Sequence, residues 1–77
     1  MRNIAINTIN FELSGMRDGS ASLTITNVLG QQVYVGNVES IDQFMETTID
    51  ISEFKKGIYF VKITNDSEDA NTRIIVE

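Results

Sequence analysis

From Ser22 to Thr26 the chain reads SLTIT, a strict alternation of polar and apolar side chains, and the same alternation returns in short blocks along its whole length. Side chains of an extended strand point to opposite faces in turn, so this pattern suits a half-buried strand and cannot build the apolar stripe of a helix. The blocks are separated by turn-forming residues. Ile4 and Ile6 open the series, and Ile9, Phe11 and Leu13 follow with the phase slipped by one, which predicts a bulge or a break into two strands. After the polar loop SGMRDGS, Leu23 and Ile25 share one face, and Ser22, Thr24 and Thr26 the other. The stretch NVLGQ reverses the chain, with Gly30 at the position suited to a positive φ, and Val33 and Val35 follow on the returning strand.

GNVESIDQFME is expected to be a loop whose apolar residues close the edge of the core; capping-box spacing of Ser40 and Gln43 offers one helical turn as the alternative. Strand character resumes from Thr47 to Ile51 and from Ile58 to Thr64, and the loop NDSEDAN separates the latter from a last strand, Thr72 to Val76. The expected fold is therefore all-β: a small immunoglobulin-like β-sandwich of six to seven antiparallel strands, forming one domain over residues 1–77, with a barrel as the alternative.

Composition narrows the functions open to such a domain. A chain of 77 residues has room for one core, and with no cysteine it holds by packing alone. A net charge of −5 with six scattered basic residues is unsuited to phosphate backbones, so nucleic acid is not an expected partner. No apolar run approaches the roughly 20 residues of a membrane span. The absence of His and Cys removes the commonest general base, metal ligand and strong nucleophile, so no catalytic, cofactor or metal residue is assigned. Asp66, Glu68 and Asp69 fall in one polar loop with no pocket to separate their pKa values, and that loop lacks the glycine and bidentate glutamate of a calcium loop.

The most apolar segment is FKKGIYFVKI, Phe54 to Ile63. In a strand from Ile58, one face carries Tyr59, Val61 and Ile63 and the other Ile58, Phe60 and Lys62, so both are largely apolar. One face fills the sandwich core. The other is covered within the domain or docks a partner, with the Lys62 stem lying over apolar surface. Tyr59, two residues after Gly57 and two before Val61, has the spacing of a tyrosine corner, whose buried phenol ties the strand to nearby backbone. Gly57 supplies turn geometry, and Lys55 and Lys56 are solvated.

The run TIDISEFKKGIYFVKI, preceded by SLTITNVLGQQVY and closed by TRIIVE, resembles the type A C-terminal sorting domain of type IX secretion in Bacteroidetes. The family's strand-turn-strand corresponds to Asn27, Gly30, Gln31 and Val33; its central motif to Asp50, Ser52, Phe54, Gly57, Tyr59, Val61 and Ile63; its terminal motif to Arg73, Ile74, Ile75 and Val76. Lys55 and Lys56 stand where a proline commonly precedes the central glycine, Glu77 stands where a basic residue is common, and the usual start rich in Pro and Asn is absent.

The resemblance implies an immunoglobulin-like sandwich at the end of a larger cargo protein, which it directs from the periplasm across the outer membrane for release or cell-surface attachment. The implied partners are the outer-membrane type IX machinery, a sorting protease and the upstream cargo domain, and Asp50 to Glu77 is the part implied to carry the signal. No enzyme activity is expected. An adhesion or accessory module binding glycan or protein is the alternative, with Tyr34, opposite Val33 and Val35, as its one exposed aromatic.

Overall fold

A computed structural model describes residues 8–66 and 68–77. Six strands run through them: β1 (Thr8–Ser14), β2 (Gly19–Asn27), β3 (Gln32–Ser40), β4 (Phe44–Asp50), β5 (Gly57–Asn65) and β6 (Glu68–Val76). All pairings are antiparallel, in a two-stranded sheet β1-β4 and a four-stranded sheet in the order β3-β2-β5-β6. The all-β sandwich expected from the alternation is the observed architecture. Ile4 and Ile6 lie outside the described residues.

The core forms where the inward faces of the two sheets meet. Leu23 opposes Ile63 and Ile25 opposes Val61 across β2 and β5, and Leu23, Ile25 and Val61 are fully buried. From the smaller sheet, Ile9 opposes Ile49 and Leu13 opposes Met45, with Ile51 buried just beyond β4. Thr47 is half-buried between Met45 and Ile49, because β4 begins at Phe44 and Thr47 falls on its inward phase.

Three expectations are corrected. GNVESIDQFME is neither a loop nor a helical turn. Strand β3 runs to Ser40, Ile41 and Phe44 exchange both backbone hydrogen bonds (2.9 and 3.1 Å), and between them Asp42 and Gln43 take positive φ values of 55° and 62°. This is a two-residue turn of the hairpin type, whose twist matches that of the flanking strands. It is held from outside: Gln43 N–H donates to Asp18 Oδ1 (2.7 Å), and Gly15 N–H donates to the Gln43 carbonyl (2.7 Å). The turn also carries the chain from the larger sheet to the smaller.

The loop NDSEDAN is also mostly strand. Asn65 pairs with Glu68, so only two residues separate β5 from β6, and Glu68 to Asn71 belong to the ladder. Asp66 sits 3.6 Å from Arg17 in an exposed ion pair, Glu68 accepts the Arg17 N–H at 2.9 Å, and Asp69 faces outward opposite Thr64. These carboxylates are therefore parts of a structural joint and a strand surface.

Tyr34 faces inward. Ile25 pairs with Tyr34 but Thr26 pairs with Gln32, so Val33 is an extra residue, and beyond this bulge Tyr34, Gly36 and Val38 turn to the core while Val35 is exposed. Gly36 makes room: a Cβ there would lie 2.7 Å from the Tyr34 hydroxyl oxygen.

Candidate functional site

The pairings bring the three separated motif segments to one end of the sandwich. Asn27 faces Tyr59, Tyr59 faces Ile74, Gly57 faces Val76, and Asp50 closes β4 opposite Thr8. The β2–β3 turn, the β4–β5 connection and the end of β6 thus share a pole, although they are spread over residues 27–76 in sequence.

The β2–β3 turn and the β4–β5 connection are each held by side chains bonded to backbone. Asn27 organises the β2–β3 turn: its Oδ1 accepts the N–H groups of Leu29 (2.9 Å) and Gln31 (3.0 Å), and its Nδ2 donates to Gln31 Oε1 (2.9 Å). Gly30 completes the turn with φ 83°, a conformation that a side chain disfavours. Asp50 does the same for the β4–β5 connection, accepting the Ser52 N–H at 2.9 Å, while Phe54 N–H donates to the Ile51 carbonyl at 3.0 Å. That backbone donor, aided by the Ser52 hydroxyl, holds the Asp50 carboxyl below its ordinary value.

Tyr59 locks the connection to β5. Its ring is buried, its hydroxyl donates to the Lys55 carbonyl at 2.6 Å, and its ring centroid lies 5.1 Å from that of Phe54. This is the tie anticipated from the corner spacing. Gly57, at φ 148°, lets the chain turn from the exposed Lys55 and Lys56 into the strand.

Not every motif residue is presented at this pole. Val61 and Ile63 are buried in the core, and Ile63 lies towards the other end, opposite Leu23. Arg73 is exposed on the outer face of the larger sheet, directly opposite Phe60. On that face Ile58 is 38% and Phe60 46% exposed, with Lys62 beyond them and Ile75, 59% exposed, opposite Ile58. Val35 extends the apolar strip on the far side of β2, while Val33, at the bulge, lines a hollow at the pole with Phe54, Lys55 and Tyr59.

Sequence reading passed over Val28 and Leu29 as turn residues. Both project into solvent, at 66% and 79% exposure, beside the strip. The signal was present: two consecutive aliphatic residues occupy a turn where polar ones are the rule. Among the described residues, no helix is long and apolar enough to cross a membrane, which says nothing of strands that cross as a barrel.

The family model described as the secretion system C-terminal sorting domain matches residues 3–77. No curated protein matches the chain.

Proposed function

The chain belongs to the family of type IX secretion C-terminal sorting domains, and from that membership we propose that it is a folded address, read as a surface by the outer-membrane translocation machinery. In this reading it directs an upstream cargo from the periplasm across the outer membrane, for release or cell-surface attachment, and a sorting protease acts on it after transit. The domain itself performs no chemistry.

The observation that carries the reading is the convergence of Asn27, Gly30, Asp50, Ser52, Gly57 and Tyr59 on one pole, beside a half-exposed strip containing Ile58, Phe60 and Lys62. Of the buried members, Tyr59 sets the shape of that pole, while Val61 and Ile63 form the core behind it. The exposed members are the surface to be recognised, Val33 and Arg73 included. An apolar strip with charged residues at its margin suits protein recognition, where apolar contacts give affinity and charges fix register. The accessory-module alternative loses its aromatic platform, because Tyr34 is turned to the core.

A fusion of residues 1–77 behind a periplasmic reporter, expressed in a host with type IX secretion, tests the proposal. The reporter is expected outside the cell. Retention in the periplasm, under conditions that export a known cargo, would contradict it.

A further inference from the structure

We propose that the β2–β3 turn is a rigid aliphatic hook: Val28 and Leu29 seat in an apolar socket on the translocation machinery, and carboxylates around that socket meet Lys62 and Arg73. The inference rests on the secretion reading above and assigns it a contact point and a partner chemistry.

The first ground is that the turn is built more firmly than chain reversal needs. Besides the three bonds of the Asn27 side chain, Asn27 N–H donates to the Gln31 carbonyl and Gly30 N–H donates to the Asn27 carbonyl, both at 3.0 Å. Five hydrogen bonds within five residues order the backbone in advance, so little conformational freedom remains to be lost on binding. The structure so ordered holds its two aliphatic side chains away from the core, with Leu29 the most exposed large apolar residue among those described. Ordering two aliphatic side chains in water brings the fold no burial. Burial is gained when a partner closes over them.

The second ground is charge. The chain carries −5 overall, yet on the outer face the stretches from Ile58 to Lys62 and from Asn71 to Ile75 hold Lys62 and Arg73 and no carboxylate, with Glu77 just past the end of β6. Glu39 and Asp69 lie at the other end of that face, opposite Ser20 and Thr64. A second copy of the chain, packed by a two-fold that runs the strands antiparallel, would set Lys62 and Arg73 against its own Glu39 and Asp69, and is the competing occupant. An anionic membrane is disfavoured, because an extended charged surface acts on the whole domain and the net charge is −5, whereas a socket meets only the residues it touches. A protein socket lined with apolar groups and edged with carboxylates satisfies both features.

The reporter fusion separates these possibilities. Val28→Ser with Leu29→Ser is expected to leave thermal unfolding of the purified domain unchanged, since neither side chain is packed, and to lower export roughly tenfold or more. Lys62→Glu with Arg73→Glu is expected to lower it similarly. Ile41→Ser, at an equally exposed aliphatic residue of the opposite pole, is expected to export normally. Undiminished export of either double variant, or an equal loss with Ile41→Ser, would overturn the inference while leaving the secretion reading intact. So would a dimer of the unaltered domain in analytical ultracentrifugation, or its sedimentation with mixed phosphatidylcholine and phosphatidylglycerol vesicles, if abolished by the Val28 and Leu29 changes. Retention of the unaltered fusion would instead remove the secretion reading itself.

Discussion

Single side chains do most of the fastening at the motif pole, and each can be tested alone. Tyr59→Phe removes the hydroxyl that reaches the Lys55 carbonyl at 2.6 Å and keeps the buried ring; a loss of about 1 kcal/mol is expected in denaturant unfolding, and no loss would mean the bond contributes nothing net. Asp50 makes a prediction in pH. Because the Ser52 N–H depresses its folded pKa, its contribution to stability is complete above the unfolded value, near 3.8, and is lost as pH falls through the folded one. Asp50→Asn keeps an acceptor oxygen but does not titrate. The stability difference between the two proteins should therefore change below about pH 4 and stay level above it, and a difference constant from neutral pH to pH 2 would count against the assignment. Tyr59 was legible in the sequence because its partners are local: the glycine two residues before it and the carbonyl four before it. Tyr34 was not, since the bulge at Val33 that turns its side chain inward belongs to the pairing with β2.

At the scale of elements, the sequence misled wherever a strand or turn lacks its usual chemistry. The turn between β3 and β4 requires two positive φ values and supplies Asp42 and Gln43 where Asn and Gly are preferred, while Ser40 and Gln43 happen to share capping-box spacing. Asp42→Asn with Gln43→Gly should relieve backbone strain and raise stability by about 1 kcal/mol, read as a shift in urea midpoint at constant slope. An unchanged midpoint would show that the bonds from Gly15 and to Asp18 already offset the strain. The start of β6 was hidden for another reason: Glu68 to Asn71 read as loop by composition, yet β5 provides a ladder for them. The joint beside them depends on Asn65, which is 3% exposed and donates to the Arg17 carbonyl at 2.6 Å, while the buried Ser40 hydroxyl donates to the Met16 carbonyl at 3.0 Å. Asn65→Ala would leave that carbonyl without its donor, and a loss of about 2 kcal/mol is expected. A stability within experimental error of the unaltered protein would mean that water replaces the amide.

For the whole molecule, one thin core between a four-stranded and a two-stranded sheet must outweigh the cost of ordering the chain. Leu23 lies at its centre, fully buried against Ile63, and Leu23→Ala should cost about 3 kcal/mol, a large share of the roughly 5–15 kcal/mol that native domains possess. Thermal unfolding of the variant should begin well below that of the unaltered domain; a near-equal midpoint would show that the core can close over the missing atoms. The alternation by itself determined the all-β class, the inward residues of β1, β2 and β5, and the face of Ile58, Phe60 and Lys62, because strand periodicity is a property of consecutive residues. The positive φ at Gly30 and the corner at Tyr59 were local enough to be read the same way. Only the tertiary structure decided which strands pair, which side chains a bulge turns inward, and that Asn27, Asp50 and Tyr59 meet at one pole with Val28 and Leu29 standing free beside them. Those outcomes depend on register between segments far apart in the chain, and register is settled when competing pairings are judged by how much apolar surface each one buries.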